Sequence, residues 1–326
     1  MLNSFDIFSI NSEVEFNSLS IQIFKYQYTN NPIYRKFVDL LSLNYKEIDN
    51  YKKIPFLPIE FFKTNKVVDD NFSPAFYFQS SGTTSENLSK HYIVNENIYK
   101  KSILESFSLF FGDPSEYIYL GLLPSYLERN NSSLIYMVNH LMEQSKKEEN
   151  GYYLHNFDDL YLVLNRLESE GKKVILFGVS YALLDFAKSY PLHLNHTLII
   201  ETGGMKGRKK EITKDELLSE LKYAFHTEKI FSEYSMTELL SQAYSLSNNF
   251  YRCPPWMKIL IRDVDDPFEY VENHRTGGVN IIDLANIHSC SFISTQDLGK
   301  TLENKCFQIL GRMDNSDIRG CSLLLL

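Results

Sequence analysis

Apolar and polar positions recur along this chain with two different periods, and the change from one to the other divides it. Over the first 70 residues the apolar positions, Phe37, Leu40 and Leu41 among them, fall at helical spacing, until Pro55 and Pro58 break the pattern. Short apolar runs then alternate with amphipathic stretches. The runs at 75–79, 118–123, 173–178 and 197–201 read as strands. The second ends at Pro124, the third leads into a helix through Ala187, and the fourth ends at Gly203 and Gly204. A helix is expected over 212–225, with Thr213 as its cap and Glu216 completing a capping box. Residues 229–235 read as a short strand or loop before a helix starting at Thr237.

This alternation predicts an α/β fold of layered mixed sheets covered by helices. After Pro254 the runs shorten and turn signals such as Thr276-Gly277-Gly278 appear, which predicts a small β-rich lobe over 255–310. The expected organisation is one domain over 1–310, opened by a helical segment at 1–70, with a tail at 311–326. No internal repeat, low-complexity linker or heptad pattern interrupts it.

Composition adds exclusions. With 44% hydrophobic and 23% charged residues the chain is an ordinary globular one, and its net charge of -8 argues against a nucleic-acid partner. The basic run Lys206, Arg208, Lys209, Lys210 reads first as a solvated loop and second as a phosphate contact. No apolar run approaches the roughly 20 residues that span a bilayer, and the amino end does not read as a signal peptide. The four cysteines, Cys253, Cys290, Cys306 and Cys321, form no C-x-x-C pair. A cytoplasmic protein with free thiols and no zinc site is therefore expected.

Four short segments carry candidate chemistry. Ser80-Ser81-Gly82-Thr83-Thr84-Ser85 follows the strand at 75–79. Hydroxyls and free backbone N–H groups can cradle a polyphosphate, and a glycine lets the backbone come close. It is not a Walker loop, since no Gly-Lys-Ser/Thr follows. Glu233-Tyr234-Ser235-Met236-Thr237-Glu238 places a carboxylate beside a hydroxyl, a hard-oxygen pair suited to Mg²⁺ on phosphates, with an aromatic ring for a purine. The plain alternative is a helix start capped by Ser235, with Glu238 three residues on. Thr295-Gln296-Asp297-Leu298-Gly299 offers a carboxylate for ribose hydroxyls, or simply an Asp-x-Gly turn. Gly311-Arg312-Met313-Asp314-Asn315 offers a guanidinium fork, or a charged turn.

Each segment is weak alone, but in this order they resemble the adenylate-forming superfamily of acyl- and aryl-CoA ligases, luciferases and peptide-synthetase adenylation domains. The resemblance runs from about residue 75 onward. It implies that large-domain fold, and ATP and Mg²⁺ as cofactors. It also implies that Ser80, Ser81, Gly82, Thr83 and Thr84 hold phosphates, and that Gly203 and Gly204 line the adenine and carboxylate. Tyr234 would stack on adenine, Thr237 touch the α-phosphate, Glu238 bind Mg²⁺, and Asp297 and Arg312 hold the ribose. Lys90 sits too late to take the role of the superfamily's phosphate-loop lysine.

Two departures narrow the resemblance. The superfamily's small mobile domain, with its catalytic lysine, follows the Gly-Arg-x-Asp hinge, whereas only about fifteen residues follow Gly311 here. Cys321 lies in that tail, within Asp317-Ile318-Arg319-Gly320-Cys321-Ser322. This combination is similar to the acyl-protein synthetases of bacterial luminescence operons, the LuxE family. That likeness implies a fatty-acid substrate, transfer of the acyl group to Cys321, and delivery to an acyl-CoA reductase or acyl-carrier partner. Lys206 and Arg208 are the candidates to replace the missing lysine. The alternatives are a ligase that charges coenzyme A or a carrier protein, and an inactive nucleotide-binding scaffold. Gly178-Val179-Ser180-Tyr181-Ala182 mimics a hydrolase elbow but lacks its second glycine, and it is expected instead to wall the acyl pocket.

Overall fold

The computed structural model describes residues 6–80, 88–124, 131–154, 156–203, 212–246 and 248–313. The α/β expectation holds. Two amino-terminal helices, α1 (Glu13–Asn30) and α2 (Pro32–Leu40), open the chain. Ser12 caps α1 by accepting from the Glu15 N–H, and Asn31 caps α2 while Pro32 occupies its first turn. The helical period of α2 is real, but its buried face is carried by Tyr34 and Val38, and Leu40 is 74% exposed.

The strands run β1 (Leu57–Pro58), β2 (Phe76–Gln79), β3 (Lys90–Ile93), β4 (Ile118–Leu122), β5 (Gly151–Tyr153), β6 (Val174–Val179), β7 (Thr197–Thr202) and β8 (Ile230–Tyr234). They continue as β9 (Ala243–Ser245), β10 (Tyr251–Arg252), β11 (Met257–Arg262), β12 (Gly277–Asp283), β13 (Phe292–Thr301) and β14 (Cys306–Arg312). Between them lie α3 (Phe61–Thr64), α4 (Glu96–Phe111), α5 (Ser133–Ser145), α6 (Phe157–Ser169), α7 (Ser180–Ser189) and α8 (Lys214–Phe225).

Twelve strands form one sheet in the order β11-β12-β13-β14-β10-β9-β8-β7-β6-β4-β5, with β1 added beside β13. From β5 to β8 the pairing is parallel, and from β8 to β11 it is antiparallel. Every residue of β4 and β6 is buried, as expected of parallel strands covered on both faces. One cover is aromatic: Phe111 of α4 meets Phe231 at 5.2 Å and Tyr244 at 5.1 Å. The other is α7 with α8, where Phe186 meets Phe225 at 6.0 Å. The capping box of α8 forms as read, with Thr213 and Glu216 bonded reciprocally.

One expected strand stands apart from the sheet, and two expectations fail because other segments supply the backbone partners. The run at 75–79 does form a strand, but β2 pairs only with β3 in a separate hairpin and lies outside the main sheet. The helix at Thr237 does not form, because its backbone groups have other partners. The Thr237 carbonyl is bonded by His91, and the N–H groups of Leu240 and Ser241 donate to the Asp283 carboxylate at 2.8 and 3.0 Å. Thr295–Gly299 and Gly311–Arg312 are not turns but parts of β13 and β14, paired at Asp297↔Arg312. The β-rich carboxyl-terminal strands are hydrogen-bonded into the same sheet as the parallel ones. No helix among the described residues is long and apolar enough to cross a membrane.

Candidate active site

Parallel strands present their carboxyl ends on one rim of the sheet, where α/β folds bind ligands. Here that rim carries Ser180 after β6, Gly203 after β7, and Glu233 and Tyr234 closing β8. Gly203 has φ +72°, a backbone conformation that favours glycine.

The β2–β3 hairpin brings Ser80 and Ser89 to this rim. The two are pinned together: the Ser80 N–H donates to the Ser89 carbonyl and the Ser89 N–H donates to the Ser80 Oγ, both at 3.0 Å. The hairpin in turn rests on the segment after β8. The His91 Nδ1–H donates to the Thr237 carbonyl at 2.9 Å, and the Ser89 hydroxyl bonds the Glu238 carboxylate. His91 is 1% exposed, and burial lowers its pKa to about 4, so the ring is neutral. Its carbonyl partner requires the proton on Nδ1.

Glu238 is buried, and burial pushes its carboxyl above the usual range, while the Ser89 hydroxyl and the Arg312 charge pull the other way. The Asn286 amide holds its backbone by donating to the Glu238 carbonyl at 2.8 Å. Glu238 therefore sits between the loop base and the last two segments. Asp297 and Arg312 are cross-strand partners on β13 and β14, and Arg312 Nε lies 3.5 Å from Asp297 Oδ1. The Tyr234 hydroxyl donates to Asp297 Oδ2 at 2.8 Å. Burial and the Asp297 charge raise the Tyr234 phenol well above its ordinary value, so it is a donor at neutral pH. Burial raises the Asp297 carboxyl, and Tyr234, Arg312 and Arg262 offset part of that rise. Phe307 and Tyr251 support the Tyr234 ring edge-on at 5.7 and 6.0 Å.

A second cluster adjoins Tyr251 through its hydrogen bond with Lys214. Glu201, fully buried, accepts from the Ser180 hydroxyl and from the Lys214 ammonium, and the Ser180 hydroxyl also reaches the Gly203 carbonyl at 2.7 Å. Burial pulls the Lys214 pKa down, but Glu201 and Tyr251 outweigh it and hold it above the ordinary lysine value. The hydroxyl that mimicked a hydrolase nucleophile is thus tied to a carboxylate and a carbonyl.

The structure therefore brings together Ser80, Tyr234, Thr237, Glu238, Asp297 and Arg312, with Gly203 on the same rim. Ser81, Gly82, Thr83, Thr84, Gly204, Lys206, Arg208 and Cys321 lie outside the described residues. Sequence reasoning missed Ser89, His91, Glu201 and Lys214. The signals were an acidic residue closing the apolar run at 197–201 and a Ser-Lys-His triplet just past the loop. Among the described residues no three His, Cys, Asp or Glu side chains are grouped to hold a metal by themselves. Mg²⁺ requires only one or two carboxylates when phosphate oxygens complete its shell, and Glu238 beside the Ser89 hydroxyl fits that donor set. A cleft of about 600 Å³ lies elsewhere, between the start of α1, β11 and residues 301–307, and holds none of the four segments' functional side chains.

No protein-family model matches the chain, and no curated protein does. Solved structures do. An open conformation of 2-hydroxyisobutyryl-CoA ligase, in complex with 2-HIB-AMP and CoA, superposes with a TM-score of 0.71 at 10% identity, over 93% of this chain and 70% of that one. ATP-bound MatB from Rhodopseudomonas palustris gives 0.56 at 13% identity, over 76% and 49%. The amide bond synthetase McbA from Marinactinospora thermotolerans gives 0.52 at 14%, over 73% and 49%. Likenesses this low in identity establish the fold, which is the large-domain fold of adenylate-forming enzymes. The chain spans about half the length of several of these structures (49%).

Proposed function

We propose that this chain is an ATP-dependent ligase that activates a carboxylic acid, in particular a fatty acid, as an acyl-adenylate and transfers the acyl group to the Cys321 thiol. The observation that carries the reading is the convergence of the four dispersed segments. The loop base at Ser80 and Ser89 touches Glu238, the charge of Glu238 interacts with those of Arg312 and Asp297, and Asp297 is bonded by Tyr234. A nucleotide lying along the rim would use all of these groups, which come from segments far apart in sequence.

In the first half-reaction a carboxylate oxygen attacks the α-phosphorus of ATP. The bond from that phosphorus to the bridging oxygen breaks, and pyrophosphate leaves. The thiolate sulfur then attacks the acyl carbon, the bond from that carbon to the phosphate oxygen breaks, and AMP leaves. Tyr234 offers its ring to the purine, and Asp297 and Arg312 take the ribose hydroxyls. Ser80 to Thr84 hold the phosphates, Gly203 and Gly204 border the reacting carboxylate, and Thr237 contacts the α-phosphate. Glu238 would hold Mg²⁺, which supplies positive charge against the phosphate oxygens when bound. Lys206 and Arg208 take the duty of offsetting charge at the α-phosphate. The acyl group then passes to an acyl-CoA reductase or an acyl carrier.

The CoA complex of the 2-hydroxyisobutyryl-CoA ligase favours a second reading, in which coenzyme A is the acceptor. One experiment separates the two. The protein is incubated with ATP, Mg²⁺ and a labelled fatty acid, with and without CoA, alongside Cys321→Ser. A hydroxylamine-labile acyl adduct on the wild-type chain, absent from Cys321→Ser while pyrophosphate exchange persists, supports self-acylation. Release of acyl-CoA with no adduct supports the ligase. Absence of pyrophosphate exchange across acids of varied length overturns both.

A further inference from the structure

Arg262, at the end of β11, is 6% exposed, and no acidic side chain among the described residues forms an ion pair with it. A buried guanidinium with no ion-pair partner in direct contact is costly unless its donors are satisfied. Three of the five are taken by β12 and β13. Nη1 donates to the Val279 carbonyl at 2.9 Å and to Asn280 Oδ1 at 2.8 Å, and Nη2 donates to the Thr295 carbonyl at 2.6 Å. Room for it is made on β12: a Cβ at Gly278 would stand 2.5 Å from Arg262 Cζ. Gly278, read in sequence as a turn signal, is instead the cross-strand partner of Arg262.

The register explains what the guanidinium does there. The pairing of β12 with β13 jumps from Gly278↔Leu298 to Asn280↔Ser294. Thr295, Gln296 and Asp297 therefore stand opposite Val279 alone, a bulge that re-aims side chains. Arg262 closes the bulge from behind by gripping the Val279 and Thr295 carbonyls. The Thr295 hydroxyl completes it, donating to the same Val279 carbonyl at 2.8 Å and accepting the Asp297 N–H at 3.1 Å. Asp297 then faces forward onto Tyr234 and Arg312.

We infer that Arg262 is a positioning residue for nucleotide recognition: it fixes the β13 bulge so that Asp297 presents its carboxylate to the ribose hydroxyls. The inference rests on the reading of Asp297 as the ribose ligand. Arg262 also supplies positive charge behind that carboxylate, opposing the rise that burial causes.

The test is the preference for ATP over 2′,3′-dideoxy-ATP, measured by calorimetry on chains shown to be folded by circular dichroism. Wild type is expected to prefer ATP by roughly tenfold or more, the usual worth of a charged hydrogen bond, and Asp297→Ala to lose that preference. Arg262→Lys keeps the charge but not the fork, and Gly278→Ala displaces the guanidinium without removing it. Both should lose most of the preference while binding dideoxy-ATP as wild type does. In Arg262→Met the acid limb of ATP affinity should also move to higher pH, a shift that Arg262→Lys should not show. If wild type and Asp297→Ala bind both nucleotides alike, the ribose reading fails and takes the inference with it. If Asp297→Ala loses the preference but Arg262→Lys and Gly278→Ala keep it, the positioning role alone is overturned. Equal loss for both nucleotides in the two variants also overturns it, since Arg262 would then serve only the fold.

Discussion

Tyr234 and Asp297 are joined by a 2.8 Å hydrogen bond although three strands, β9, β10 and β14, separate β8 from β13 in the sheet order. Such a bond requires the antiparallel half of the sheet to curl until β13 faces the end of β8. The phenol is kept protonated by burial, and it orients the Asp297 carboxylate while its own ring stays fixed against Phe307 and Tyr251.

The two functions of Tyr234 can be separated. Tyr234→Phe keeps the ring and removes the donor, and ATP affinity should fall by about 1 kcal/mol, the net worth of one hydrogen bond. Tyr234→Ala removes the platform as well, and a loss of about 2–3 kcal/mol is expected, in the range of base stacking on an aromatic ring. Calorimetric titration with ATP reads both, and wild-type affinity in Tyr234→Ala would refute the purine assignment.

Glu238 offers a sharper test than the sequence suggested. With no helix at Thr237, the capping alternative is gone, and the buried carboxylate is bonded by Ser89 rather than by a helix N-terminus. Glu238→Gln should keep the Ser89 contact and the fold, yet cut pyrophosphate exchange by roughly tenfold or more and raise the Mg²⁺ concentration needed for half-maximal rate. An unchanged rate and Mg²⁺ dependence would remove Glu238 from the metal site.

How much of this was legible in advance differs from element to element. The βα alternation and the capping box of α8 could be read from local pattern, and Tyr234, Asp297 and Arg312 as members of one site only from the resemblance that the motif order carries. The missing helix could not, because Thr237, Leu240 and Ser241 lose their helical partners to His91 and Asp283, residues roughly 40 or more positions away. The strand character of Thr295–Gly299 was hidden for the same kind of reason. Asp-x-Gly is a turn signal locally, and pairing with β12 and β14, with Arg262 reaching across from β11, makes it a bulged strand. Lys214 was invisible as a site residue since nothing in the first position of a helix announces a buried carboxylate on β7.

His91 gives the fold a measurable pH dependence. Its folded pKa, about 4, is depressed from 6.5, so between those values the unfolded chain binds more protons than the folded one. Stability from this group is complete above pH 6.5 and is lost as pH falls toward 4, by about 3 kcal/mol at most. The raised carboxyls of Glu233, Glu238, Asp283 and Asp297 have the opposite sign, since they gain protons more readily in the fold. A comparison with His91→Asn isolates the histidine, because asparagine retains a donor for the Thr237 carbonyl and does not titrate. Denaturant melts from pH 4 to 7 should show wild type gaining stability relative to the variant as pH rises through that window. A constant gap would mean that His91 is not buried neutral.

The Glu201–Lys214 pair shows whether the second cluster is structural or serves the site. Glu201 is fully buried and Lys214 partly so, with side-chain exposures of 0% and 22%. Removing one partner strands the other charge, and the cost is about 3 kcal/mol for Glu201→Gln and more for Lys214→Met. Glu201 is the more deeply buried of the two, so Lys214→Met, which strands its carboxylate, should be the more damaging. Replacing both partners should recover most of the loss, since an uncharged pair of similar volume needs no desolvation of ions. A thermal-melt double-mutant cycle measures this coupling directly. If the double variant regains stability and also retains wild-type pyrophosphate exchange, the pair is a brace between β7 and α8. If stability returns but exchange does not, the Lys214 charge acts on the reaction, through its hydroxyl partner Tyr251 or directly at the phosphates. Strictly additive single losses would show that the two side chains do not depend on one another, contrary to the geometry that joins them.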